Sequence, residues 1–195
     1  MRHFRTVVAS ALMTCTALAG SYAAETVFSD GAARACYEVA QFGGDIRAGV
    51  ATCTAALDSN TLSLGDRAST FINRGIVKSR LPDYRGALAD YDTGLTMRPD
   101  LAEAYVDRGA VLIMVKRYND AIADLTKGIE LNSRELHVAY FDRGLVRERM
   151  HDLKGACADY RQALVLEPGF ALATSQLGIC PKQIEAPATP SQLRG

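Results

Sequence analysis

The 195-residue chain contains no tryptophan, has 7% aromatic residues and carries no net formal charge. Without an excess of lysine and arginine, and without a basic run interleaved with aromatics, it lacks the electrostatic footprint of a nucleic-acid binder. Histidines number three, and there is neither a Cys-x-x-Cys pair nor a pair of histidines. A zinc site is therefore not expected, and a redox-active dithiol is disfavoured on the same ground. Also missing are a phosphate-cradling Walker loop, a dinucleotide fingerprint and a metalloprotease helix. His137 and His151 have no sequence neighbour that suggests a nucleophile partner. The acidic residues are spaced like solvated helix surfaces. These absences point away from an enzyme, from a cofactor and from a small-molecule substrate. Past the first 20 residues no apolar run approaches the roughly 20 residues that cross a bilayer.

The N-terminus supplies the first positive signal. Arg2, His3 and Arg5 form a basic start, Thr6 to Gly20 is apolar or small, and no acid precedes Glu25. Ser21-Tyr22-Ala23 fits a small-x-small cleavage site, so residues 1–23 read as a signal peptide removed after Ala23. Contact with a membrane is then transient, and the mature protein is periplasmic, of the bacterial type, or secreted. Four of the five cysteines remain after cleavage: Cys36, Cys53, Cys157 and Cys180. An even number in an oxidising compartment favours disulfides, and four cysteines allow three pairings.

The middle of the chain repeats. Asn73-Arg74-Gly75, Asp107-Arg108-Gly109 and Asp142-Arg143-Gly144 recur with their glycines 34 and 35 residues apart. A period near 34 marks a stacked helix-turn-helix array, in which each unit buries its apolar face against its neighbours. With each glycine at position 8, the rest falls into register. Position 4 is Phe71, Tyr105 and Tyr140, and position 20 is Ala87, Ala121 and Ala156. Position 24 is Tyr91, Leu125 and Tyr160, position 27 is Gly94, Gly128 and Ala163, and position 32 is Pro99, Ser133 and Pro168. Small residues at positions 8, 20 and 27 let two helices approach closely. Turns around Asp83, Asn119 and Asp152 start the second helices.

This pattern resembles the tetratricopeptide repeat family over about residues 66–180. The departures are an arginine at position 7 in place of leucine, Leu125 in place of an aromatic and Ser133 in place of proline. The resemblance implies an all-α, right-handed superhelical array of antiparallel helix pairs. The pairs are expected at 66–80 with 83–97, 101–116 with 118–131, and 135–150 with 153–166. Leu172 to Ile179 begins like a fourth unit and is stopped by Pro181, as a cap helix would be. Residues 24–65 read as a degenerate helical pre-unit around the Gly43-Gly44 turn. Residues 181–195, rich in proline and poor in large apolar side chains, read as a disordered tail.

The register selects partners. In the pre-unit Cys36 and Cys53 fall at positions 7 and 24, which face each other across an antiparallel pair. Cys157 lies on the last second helix and Cys180 on the cap helix that packs on it. Disulfides Cys36–Cys53 and Cys157–Cys180 are expected, one at each end. Arginine at position 7 recurs with aspartate at position 23, so Arg74, Arg108 and Arg143 are each expected to pair with one of Asp90, Asp124 and Asp159, in the same or the adjacent unit, as structural ion pairs rather than as an anion site. By resemblance, first-helix positions 2, 5, 6, 9, 12 and 13 line a concave groove. There Ile72, Asn73, Ile76, Val106, Asp107, Met114, Phe141, Asp142 and Leu145 form an apolar strip with polar neighbours, suited to a peptide with apolar anchors. Position 9 carries Ile76, Ala110 and Leu145 where carboxylate-clamp members carry asparagine, so a clamp for acidic C-terminal tails is not implied. The chain thus reads as a periplasmic protein- or peptide-binding module. The alternative is a structural or self-associating component of an envelope complex.

Overall fold

The structure, a computed structural model, describes residues 31–181. The signal segment at 1–23, its cleavage site and nearly all of the tail expected from 181 lie outside the described residues. Among the described residues there are nine α-helices and no strand: α1 Gly31–Phe42, α2 Ile46–Asp58, α3 Leu64–Ser79, α4 Tyr84–Met97, α5 Ala102–Met114, α6 Tyr118–Glu130, α7 Leu136–Arg149, α8 Leu153–Leu166 and α9 Ala171–Gln176. A 3-10 turn, Leu177–Ile179, continues α9, so the cap is shorter and tighter than one α-helix.

The strongest packing runs α1 on α2, α3 on α4, α5 on α6 and α7 on α8, and each pair then packs on the next. The core is accordingly a chain of three clusters rather than one centre. The first joins Cys36, Cys53, Ile72, Ile76 and Tyr91, the second Val106, Leu125 and Val146, the third Phe141, Tyr160 and Ala173. The small residues at the crossings are needed where they stand. A Cβ on Gly144 would lie 2.6 Å from the Tyr160 ring and 3.3 Å from the Ala156 carbonyl oxygen, and one on Gly109 would lie 2.8 Å from Leu125. Position 8 of the first helix thus receives the large side chain at position 24 of the second.

Local chemistry sets the helix ends. Asp83 and Asp152 cap α4 and α8 by accepting from the backbone N–H of Gly86 and Gly155. Asn119 does not start α6, contrary to the sequence reading: it lies inside the helix, and the N-cap is Arg117, whose side chain makes no cap hydrogen bond. Lys116 and His151, with φ of 62° and 64°, end α5 and α7 in the left-handed region. The next N–H then reaches back five residues, Arg117 to Leu112 at 2.9 Å and Asp152 to Arg147 at 2.8 Å, in the manner of a Schellman stop. At the N-terminal end, Ser63 caps α3 through Asp66, and Arg67 donates to the carbonyls of Leu57 and Ser59, fastening the loop after α2.

Candidate functional site

The arginine at position 7 builds the same brace three times. Arg74 donates to both oxygens of Asp90 at 2.9 and 2.7 Å, Arg108 to both of Asp124 at 2.7 and 2.8 Å, and Arg143 to both of Asp159 at 3.0 and 2.8 Å. Each guanidinium also lies against the aromatic at position 4, 5.2–5.6 Å from the ring centres of Phe71, Tyr105 and Tyr140. The remaining Nη1 crosses to the preceding unit: Arg74 to Thr54, Arg108 to Asp92, and Arg143 to Thr126. One side chain thus fixes the register within a unit and between units. Burial opposes the Arg143 charge, but the hydrogen bonds and charge of Asp159 outweigh it and hold the guanidinium above its ordinary value. Such a bidentate, buried pair adds little net stability but is costly to break on one side.

Sequence reasoning missed the second cation. Lys78 Nζ lies 2.7 Å from Asp90, and Arg147 Nη1 lies 2.7 Å from Asp159. Both occupy position 11, where unit two has Leu112, so a search for residues present in every unit passes over them.

The residues expected in the groove divide by accessibility. Ile72, Asn73, Ile76, Val106, Asp107, Phe141 and Asp142 are buried, Leu145 is half-buried, and Met114 is 60% exposed. Ile72 and Ile76 belong to the first core cluster together with Cys36 and Ala40 of α1. Arg80, another groove position, donates to the Val39 and Ala40 carbonyls at 3.0 and 2.6 Å, closing the C-terminal end of α1. The α1–α2 pair therefore covers the face of unit one on which the groove is expected. Phe141 is covered from the other end: Phe170, at the start of the cap, meets its ring edge-on at 5.2 Å. The accessible apolar surface of this face lies on α5 and α7, at Met114, Ile113 and Leu145. On α7, burial pushes the Asp142 carboxyl up to about 7, with the charge of Glu135 adding to the effect.

The cysteines form two disulfides, Cys36–Cys53 with an S–S distance of 2.10 Å and Cys157–Cys180 at 2.05 Å. Among the described residues, no group of three or more histidine, cysteine or acidic side chains is placed to hold a metal ion. No described helix is long and apolar enough to cross a membrane.

No protein-family profile and no curated protein matches the chain. Solved structures do. The chain is similar to MamA of Desulfovibrio magneticus RS-1 at 21% identity and TM-score 0.65, over 76% of this chain and 83% of that one. It is similar to the TPR domain of Arabidopsis OM64 at 26% identity and TM-score 0.56, over 58% of this chain and 93% of that one. It is similar to the first TPR of Spaghetti (RPAP3), solved bound to the HSP90 peptide SRMEEVD, at 25% identity and TM-score 0.56, over 62% and 94% of the two chains. With adjacent antiparallel pairs and these neighbours, the chain is an all-helical tetratricopeptide-type solenoid.

Proposed function

We propose that the protein is an exported, disulfide-stapled interaction module that takes a peptide or protein along the groove face of α5 and α7. The observation that carries this reading is Met114, a large apolar side chain left 60% exposed on a face whose deeper columns are already packed. A preformed groove loses little entropy on binding, and methionine adapts to varied apolar partners. The action is non-covalent. Two neighbouring folds, the RPAP3 domains, were solved with the HSP90 peptide SRMEEVD and the HSP70 peptide SGPTIEEVD. Of the residues at position 9, Ile76 is covered by α1, while the half-buried Ala110 and Leu145 favour an apolar anchor over an acidic C-terminus. Export is supported by the N-terminal signal pattern and by the two oxidised cysteine pairs.

The test is affinity capture from the envelope fraction by the mature chain and by Met114→Glu. The variant should lose captured partner about ten-fold while its melting temperature stays put. Equal capture would remove the groove from consideration. A second reading, self-association in an envelope complex, is favoured by the C-terminal end, where Val165 is 72% exposed and Ile179 45%. Sedimentation of the mature chain and of Val165→Glu separates it: a dimer dissolved by the substitution supports an end-to-end assembly.

A further inference from the structure

Two positions of unit two and one of unit one depart from the repeat and face one cavity of about 210 Å³, where α4 and α6 flank α5. In units one and three the carboxylate at position 23 holds two cations: Asp90 takes Arg74 and Lys78, and Asp159 takes Arg143 and Arg147. Unit two has Leu112 in place of the second cation. Among the described residues Asp124 has one cationic partner, Arg108. Two further exchanges add negative charge. Asp92 stands where Thr54 and Thr126 accept from the other arginines, and Asp120 stands where units one and three have Gly86 and Gly155. The lining therefore sets three carboxylates against the guanidiniums of Arg108 and Arg117, with apolar walls from Leu88, Leu112 and Ala123.

We propose that this cavity binds the ammonium or guanidinium group of a lysine or arginine side chain from a partner protein. The precedent lies in the same chain: units one and three bring a cation on an aliphatic stem to the same carboxylate, at 2.7 Å in both cases. In unit two the carboxylate is present with Arg108, the second cation at position 11 is replaced by Leu112, and the space beside it is open. That space far exceeds the roughly 10–15 Å³ that one water needs. Asp92 and Asp120, 66% and 53% exposed, stand at the mouth paired at 2.7 Å with Arg108 and Arg117. With Asp124 the three carboxylates exceed the two guanidiniums by one, an excess negative charge that draws a cation toward the low-dielectric walls. The buried Asp124, 8% exposed, forms the floor. The site uses positions 11, 19, 23 and 25, none of them in the groove set, so it stands or falls independently of the groove reading.

Amide NMR titration of the full mature chain with n-butylammonium and n-butylguanidinium chloride tests the site, with n-butanol as the neutral control. Saturable shifts are expected at Leu88, Asp92, Leu112 and Ala123, with a Kd on the order of 1–10 mM for so small a ligand and no counterpart in n-butanol. Leu112→Lys restores the internal cation and should abolish binding. Asp92→Thr installs the residue type of the other units, keeps an acceptor for Arg108 and should weaken binding about five-fold. It carries the comparison should the buried lysine prevent folding. A peptide with one arginine among alanines should bind at least as tightly as n-butylguanidinium. Binding of the free cations with exclusion of the peptide overturns a protein side chain as the source. No saturable shift, equal shifts with n-butanol, or an unaltered response in Asp92→Thr overturns the site itself.

Discussion

Asp90 and Asp159 each neutralise two cations, whereas Asp124 neutralises Arg108 alone and shares it with the exposed Asp92. Removing the carboxylate therefore has unequal consequences along the array. Asp159→Ala leaves Arg143, 12% exposed, without a carboxylate and Arg147, 27% exposed, with only Asp152 at 3.9 Å, and should cost about 3–5 kcal/mol. Asp124→Ala leaves Arg108 with Asp92 and should cost about 1–2 kcal/mol. Urea denaturation of the two variants decides, and equal losses would refute the two-cation argument. Asp142 is a buried carboxylate of a different kind, pushed up from 3.8 to about 7 chiefly by desolvation. Between about pH 4 and pH 7 the folded chain keeps a proton that the unfolded chain has released, so stability falls as pH rises through that window and levels off above it. Asp142→Asn should flatten this slope and add up to about 4 kcal/mol at pH 8. Parallel pH profiles for the wild type and the variant would contradict this assignment.

Helix contacts follow a simple rule of size that the sequence exposes well. Glycine at position 8 opposite Tyr91, Leu125 or Tyr160 is visible as a period, and so are the arginine and aspartate that meet 16 residues apart. The rule separates two kinds of glycine. Gly144→Ala improves helix propensity but sets a Cβ 2.6 Å from the Tyr160 ring and 3.3 Å from backbone. The overlap should win, at about 1–3 kcal/mol destabilising. In Gly65→Ala, near the start of α3, the nearest atoms are at 3.8 and 3.9 Å, so propensity should win and stabilise by about 0.5–1 kcal/mol. Thermal denaturation checks both signs. What the sequence hid depends on neighbours rather than on the unit. Whether Ile76 lines an open groove is decided by α1 lying over it, and whether Phe141 does is decided by Phe170. Arg117 displaced Asn119 as the cap of α6 because the Schellman stop after α5 places it there, a matter of backbone geometry invisible in the composition of the turn. Lys78 and Arg147 escaped notice because unit two lacks them, yet that gap is what leaves the cavity open.

A solenoid has no single core, so its ends are held by nearest neighbours alone, and the two ends of this one are tied differently. The disulfides close separations of 17 and 23 residues, each corresponding to about 3 kcal/mol in the loop-entropy picture. Taken alone, that makes them equivalent. The surrounding contacts do not. At the N-terminal end Cys36, Cys53 and Ala40 sit in a cluster shared with α3 and α4, and Arg80 binds the α1 carbonyls from outside the pre-unit. At the C-terminal end α9 is six residues long and gives the third cluster one buried side chain, Ala173, helped by Phe170 and Leu177. A six-residue helix has no stability of its own, so Cys157–Cys180 is the principal tether of the cap. Native-state hydrogen exchange under reducing conditions should therefore show α9 losing protection first, with α1 and α2 weakened but still docked and α3 to α8 little changed. Cys157→Ala with Cys180→Ala should reproduce the first loss and also expose Phe141 on the groove face, because Phe170 leaves with the cap. On the proposed groove binding, this uncovers further apolar surface for the partner, and capture by this variant should rise while its global melting temperature changes by only a few degrees. Uniform loss of protection along all the helices would show that the array unfolds as one unit and that the staples act on it globally.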